Sequence, residues 1–131
     1  MSKELFTSNL TSLANQLTKR KEIELIYYNI KKLKEKQYIN YTIICDVDSV
    51  IANIELLKEI VANMEIAKAL YSKTNIIFNY NIKTSKAFEE DLIAKDTNTI
   101  EGLTNSNIIY SNDEYLENYL IEYADKEKSR H

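Results

Sequence analysis

Glycine and proline are almost absent from this chain of 131 residues, which has one glycine, Gly102, and no proline. Average proteins contain roughly 7% glycine and 5% proline. Loops must therefore use Asn, Asp, Ser and Lys, and positions that need a positive φ are costly to fill. Helical architectures need fewer such positions than β-sandwiches or barrels. The deficit also excludes phosphate-cradling loops, because neither GxxxxGK[ST] nor GxGxxG can be written with one glycine.

The longest stretch with apolar periodicity covers residues 41–71. Its beginning is β-branched or aromatic, which predicts a short strand over residues 38–46. Apolar residues at spacings of three and four then predict a long central helix, residues 48–72, capped by Asp48 or Ser49. The apolar face of this helix is so wide that we expect it to be buried against more than one neighbour.

The first 36 residues predict a helical hairpin, with one long helix whose apolar face rotates as the alternative. Two stripes of apolar residues recur at helical spacing and are separated by a charged run. The first stripe consists of Phe6, Leu10, Leu13 and Leu17, and the second of Ile23, Ile26, Tyr27, Ile30 and Leu33.

Residues 75–83 alternate between apolar and polar, which predicts a strand with Asn79, Asn81 and Lys83 on its polar face. A helix is predicted over 86–95, capped by Thr84 or Ser85 and buried through Phe88, Leu92 and Ile93. A loop is predicted over 96–107, followed by a short strand over 107–110 and a final helix to Lys128.

Together these elements predict one helix-dominated α+β domain with about five helices and two or three short strands. From residue 38 the order β-α-β-α-β-α permits a small parallel sheet. The alternative is an all-α bundle in which the Ile- and Tyr-rich segments are helical. Residues 38–131 would form the core, built on the central helix.

The net charge of −3 is unevenly distributed. Residues 1–36 carry eight Lys and Arg against four Asp and Glu, whereas residues 37–131 carry nine against sixteen. A single cysteine, no secretory pattern at the N-terminus and no run of about 18 apolar residues predict a cytoplasmic protein without a membrane partner. The abundance of Ile, Asn, Lys and Tyr indicates AT-rich coding, as in a low-GC bacterium, its phage or a plasmid.

The segment IICDVDSVIAN, residues 43–53, carries two acidic residues directly after an apolar strand. It resembles the first motif of the haloacid dehalogenase-like phosphatases. That resemblance implies Asp46 as the nucleophile and Asp48 as the general acid/base, with Mg²⁺ as cofactor. The tail NIIYS resembles the second motif of the family, which implies that Ser111 holds phosphate. Without the resemblance, the same residues are typical of a strand end followed by a helix cap.

Other catalytic chemistries lack their residues. The only histidine, His131, is the last residue, which argues against histidine-based triads and HExxH zinc sites. Cys45 lies in an apolar run, which favours a buried core thiol over a nucleophile. We therefore expect no catalytic residues, no resident metal and no cofactor, with Mg²⁺ implied only by the phosphatase alternative.

Three sets of residues are candidates for binding. Tyrosine joins apolar area to a hydrophilic hydroxyl and is common at protein interfaces. The candidate protein interface therefore comprises Tyr115, Leu116, Tyr119, Leu120 and Tyr123, together with Phe6, Leu10, Leu13 and Leu17. Lys31, Lys32, Lys34 and Lys36 are the candidate phosphate contacts of a weak nucleic-acid binder, although the acidic remainder argues against nucleic acid as the main partner.

The lack of catalytic residues and the candidate interface residues together favour a small, non-enzymatic, cytoplasmic protein. Such a protein would regulate by protein–protein interaction, with a protein partner or a second copy of itself. An inhibitor, antitoxin, immunity protein or assembly factor of a phage, plasmid or other mobile element would fit. The phosphatase built on Asp46 and Asp48 and the weak nucleic-acid binder stay open as alternatives.

Overall fold

The computed structural model describes residues 15, 17, 19–104 and 106–111. Within these ranges the chain forms four strands and three helices. Their bounds, in chain order, are β1 Ile23–Leu33, β2 Lys36–Cys45, α1 Ile54–Tyr71, β3 Ile76–Thr84, α2 Ser85–Ile93, α3 Thr97–Thr104 and β4 Asn107–Ser111.

The four strands form one mixed sheet in the order β3-β2-β1-β4. β1 and β2 are an antiparallel hairpin whose last facing pair is Leu33 and Lys36, so the turn holds two residues. β2 and β3 are parallel and are joined by α1, the crossover that parallel strands require. β4 pairs antiparallel with the other side of β1. The two central strands are therefore β1 and β2.

One face of the sheet is covered by α1. The helix buries residues at spacings of three and four, and they pack on inward-facing side chains of the strands. The helix contributes Leu56, Ile60, Met64, Ala67 and Tyr71, and the sheet contributes chiefly Ile26, Tyr28, Ile39, Tyr41, Ile43, Ile76 and Phe78. This is the main hydrophobic core of the described residues.

The described residues cover the opposite face of the sheet only in part. Near the C-terminal end of β2, Phe88 and Leu92 of α2 pack on Leu25, Tyr27 and Ile44. Leu25 faces Ile44 across β1 and β2, and Tyr27 faces Thr42, so this second, smaller cluster covers two neighbouring rows of the sheet. The remainder of that face is polar.

The predictions of a helix-dominated fold and of the all-α alternative are wrong, because the described residues contain a four-stranded mixed sheet with three helices. The largest error is the second helix of the predicted hairpin, which is strand β1. Residues 25–28 are buried consecutively because their side chains alternate between two covered faces of the sheet. A strand buried on both faces has a nearly continuous apolar run that also satisfies helical spacing.

Two further boundaries differ from the sequence prediction. The central helix begins at Ile54, not at residue 48, and its N-cap is Asn53, so Asp48 and Ser49 do not cap it. The Ser49 hydroxyl instead accepts a hydrogen bond from the Ala52 N–H at 3.4 Å in the preceding turn. The predicted loop over 96–107 contains α3.

Several local predictions are confirmed. The segments near 38–46, 75–83 and 107–110 are strands, and Asn79, Asn81 and Lys83 lie opposite the apolar face of β3. The Thr84 hydroxyl caps α2 by accepting a hydrogen bond from the Ala87 N–H at 3.1 Å. The predicted final helix lies outside the described residues.

Lysine occupies two positions that favour glycine. Lys34 in the β1–β2 turn and Lys95 after α2 both have a positive φ, 57° and 58°. Lys95 follows the end of α2 in a Schellman arrangement, in which the Asp96 N–H donates to the Asp91 carbonyl and the Lys95 N–H to the Leu92 carbonyl. The scarcity of glycine is therefore accommodated by lysine residues whose backbone is left-handed, which costs about 1–2 kcal/mol per residue.

Lys95→Gly should raise the free energy of unfolding by about 1 kcal/mol, because glycine removes the Cβ penalty at this position. Urea unfolding of the purified protein measures the change. The control is Glu89→Gly on the exposed side of α2, which should lower stability by about 1 kcal/mol because glycine disfavours a helix interior. A Lys95→Gly protein no more stable than the wild type would contradict the prediction.

Candidate functional site

A polar cleft of about 710 Å³ lies on the face of the sheet opposite α1. Its floor is formed by β1, β2 and β3, and its wall by residues of α3 and of the turn before it. Two rows of facing side chains cross the floor: Asn29, Asn40 and Asn79 form one, and Tyr27, Thr42 and Asn81 form the other. The cleft is therefore lined with amides and hydroxyls.

Hydrogen bonds order the floor of the cleft. The Asn40 amide donates to the Asn29 side-chain oxygen at 3.0 Å. Tyr27, which lies under α2, is hydrogen-bonded to Thr42, and its burial raises the pKa of the phenol to about 12. The floor side chains of β1 and β2 are thus paired with each other, whereas Asn79 and Asn81 on β3 are exposed.

Charged groups hold the wall of the cleft to the sheet. Lys83 Nζ on β3 lies 2.8 Å from an Asp91 carboxylate oxygen on α2 and 3.4 Å from the Thr99 hydroxyl on α3. Asp96 caps α3 by accepting hydrogen bonds from the Thr99 N–H and hydroxyl, at 3.0 and 2.8 Å. These bonds from Thr99 lower the pKa of Asp96. Lys83 and Asp91 therefore compensate each other's charge, whereas Asp96 keeps its negative charge and is hydrogen-bonded to the neutral Thr99.

The candidate phosphatase residues lie at one end of the sheet. Asp46 directly follows β2, and both Asp46 and Asp48 are exposed. Ser111 ends β4 and faces Leu25 of β1, so the strand that carries Ser111 is separated from β2 by β1. Among the described residues, no group of three or more His, Cys, Asp or Glu is placed to hold a metal ion.

Cys45 is fully buried at the end of β2. Burial, reinforced by the nearby Glu22 carboxylate, raises the pKa of its thiol to about 11. A thiol with this pKa is almost entirely protonated at neutral pH and is a poor nucleophile. The environment of Cys45 is that of a core residue.

The four candidate phosphate-binding lysines surround the β1–β2 hairpin turn, and all four are exposed. Lys31 and Lys36 belong to the strands, Lys34 is in the turn, and Glu35 beside it reduces the local positive charge. Lys31 also lines the cleft. The hairpin therefore presents a small basic tip, not an extended basic surface.

The candidate interface residues are mostly outside the described part of the chain. This applies to Phe6, Leu10 and Leu13 and to the stripe from Tyr115 to Tyr123. Leu17 is described, and it is fully buried in the main core, where the protein's own side chains surround it.

A second surface, on the side of α1 away from the sheet, was only partly recognised in the sequence. The residues Ala62, Ile66, Ala69 and Leu70 are exposed and follow the spacing i, i+4, i+7, i+8, so we call them the α1 patch. Ile66 is 60% exposed and Leu70 71%. The wide apolar face of the central helix is thus only half buried within the described residues.

Neither known protein families, nor curated proteins, nor solved structures give a match to this chain. The resemblance to the phosphatases consequently rests on residues 43–53 and the short tail at Ser111. None of the described helices combines the length and apolar character that crossing a membrane requires.

Proposed function

We propose that this chain is a small, non-enzymatic regulatory protein that acts in the cytoplasm by binding a protein partner through the α1 patch. An inhibitor, antitoxin, immunity protein or assembly factor of a mobile element in a low-GC bacterium would act in this way. The observation that carries the proposal is the exposure of four apolar residues at helical spacing on one side of α1.

The α1 patch has the form of a helix-in-groove ligand. Residues at i, i+4, i+7 and i+8 lie on one side of a helix and enter a groove together. Single exposed apolar side chains are common, but Ile66 and Leu70 are neighbours one turn apart, and two small alanines beside them allow close approach. A partner helix or groove would cover this apolar centre.

Charges of both signs surround the α1 patch. Glu65 is exposed on α1, Glu59 is paired with Arg20 at 2.8 Å, and the exposed Lys58 and Lys73 lie one turn from Ala62 and Ala69. Charged residues around an apolar centre chiefly determine the association rate and the choice of partner. We therefore expect the partner to present an apolar groove whose rim carries charges of both signs.

The test compares binding by wild type with Ile66→Asp and Leu70→Asp. The wild type, used as bait in a low-GC bacterial lysate treated with nuclease, should retain one stoichiometric protein, or associate with itself in light scattering. A charge in the centre of the interface should weaken that binding by about 30-fold or more, as hot-spot residues do.

The matched control is Ile93→Asp, because Ile93 is 74% exposed on α2 and lies outside the α1 patch. It should bind as the wild type does, and circular dichroism should show all variants folded. Equal binding by Leu70→Asp and wild type, or a monomer that retains nothing, would overturn the proposal. Asp46→Asn distinguishes the proposal from the phosphatase alternative. It would abolish a Mg²⁺-dependent phosphatase activity if the alternative holds, and it should leave partner binding intact if the proposal holds.

A further inference from the structure

The polar cleft is independent of the α1 patch, and its floor brings asparagine side chains of three adjacent strands together. A sheet that packs on one face often leaves the other in water, and β-branched and aromatic residues such as Thr and Tyr are those that favour strands. Here asparagine, which strands disfavour, occupies four floor positions on three adjacent strands: Asn29, Asn40, Asn79 and Asn81. The neighbouring helical wall makes this surface concave.

The spacing of the amides suits a ligand with several hydrogen-bonding groups. Facing residues on adjacent strands lie about 5 Å apart, and residues two apart along a strand about 7 Å. Each asparagine offers a donor and an acceptor from one planar group. Two adjacent hydroxyls can satisfy both, because one donates to the amide oxygen and the next accepts from the amide nitrogen.

The charges of the cleft favour an uncharged ligand. Lys83 is paired with Asp91, and Asp96 is engaged by Thr99, so these charged groups of the wall are satisfied within the protein. A phosphate or carboxylate ligand would normally be met by arginine or by several cations. The remaining lining cation, Lys31, is an exposed residue near the hairpin.

We propose that the polar cleft binds a small, uncharged, hydroxyl-rich molecule of the sugar class, with adjacent hydroxyls paired to Asn79 and Asn81 and to the Asn29–Asn40 pair. The volume of about 710 Å³ is within the range of small-molecule sites, about 300–1,000 Å³. Binding would occur without covalent chemistry, and the free sugar or the ribose of a nucleoside would supply the same hydroxyl pair.

Nuclear magnetic resonance of the full chain, labelled with ¹⁵N, tests this proposal. The probes are D-glucose, N-acetyl-D-glucosamine, D-ribose and adenosine, each titrated to about 10 mM, a range that detects millimolar dissociation constants. We expect at least one of them to shift the side-chain NH₂ signals of the cleft asparagines saturably. Saturation by adenosine but not by D-ribose would assign the hydroxyl pair to a nucleoside.

Asn79→Ala and Asn81→Ala should each weaken this binding about tenfold, since each removes a donor and an acceptor. The matched control is Asn107→Ala, an exposed strand asparagine on β4 that does not line the cleft. Three results would overturn the proposal: no saturable shift with any probe, binding of glucose 6-phosphate but not of glucose, or equal weakening by Asn107→Ala.

Discussion

Phe78→Ala should lower the free energy of unfolding by about 3–5 kcal/mol, a large part of the 5–15 kcal/mol that stabilises an ordinary domain. Phe78 is 2% exposed on β3. Its ring lies 5.7 Å from the ring of Tyr41 on β2 and is stacked 5.8 Å from that of Tyr71 at the end of α1. Removal of this ring leaves a cavity where β3, β2 and the crossover helix α1 meet.

Urea unfolding followed by circular dichroism measures the effect of Phe78→Ala. Ile66→Ala is the matched control, because it truncates a large side chain that is mostly exposed and should change stability by no more than about 0.5 kcal/mol. A loss of less than about 1 kcal/mol for Phe78→Ala would show that the aromatic contacts of the main core contribute little to stability.

The segments that sequence reasoning predicted well share a local signal. β3 alternates between apolar and polar residues, and Thr84 directly before α2 has the hydroxyl of an N-cap. These patterns depend on neighbours in the chain, so they are visible without knowledge of the fold. β1 lacked such a signal, because burial of residues 25–28 on two faces produced an apolar run that fits either a helix or a strand.

The scarcity of glycine led to a wrong inference for a physical reason. It suggested few turns and hence few strands, but the sheet needs only one tight hairpin, and Lys34 fills its positive-φ position. The parallel connection through α1 needs no such turn. A steric cost of about 1–2 kcal/mol is small beside the burial of a central strand, so it does not decide the architecture.

The polar cleft could not be predicted from the sequence, because it depends on register. Asn79 and Asn81 were placed on the polar face of a strand, but only the pairing of β2 with both β1 and β3 brings them into rows with Asn29, Asn40 and Thr42. The α1 patch is a similar case. The sequence predicts a wide apolar face on the central helix, and only the packing shows which side of α1 meets the sheet.

Phe88→Ala is expected to separate the helical wall of the cleft from the sheet. Phe88 is fully buried, and its ring lies 6.0 Å from that of Tyr27 beneath it. The second cluster is small and distinct from the main core, and Phe88 is one of only two side chains of α2, with Leu92, that are buried in it. The cost of the truncation is about 3–5 kcal/mol, and we expect it to be expressed as local opening of α2 and α3.

Hydrogen exchange of backbone amides distinguishes local opening of α2 and α3 from global unfolding in Phe88→Ala. Amides of α2 and α3 should exchange at least about 100-fold faster than in the wild type, whereas the β1–β2 amides should keep most of their protection because the core under α1 is intact. Ile93→Ala, an exposed truncation in the same helix, should leave both regions unchanged. Equal acceleration in α2 and β2 would mean that the two clusters unfold as one unit. Selective acceleration would mean that the wall of the cleft is a cooperative unit of its own, which can open while the amide floor on the sheet stays in place.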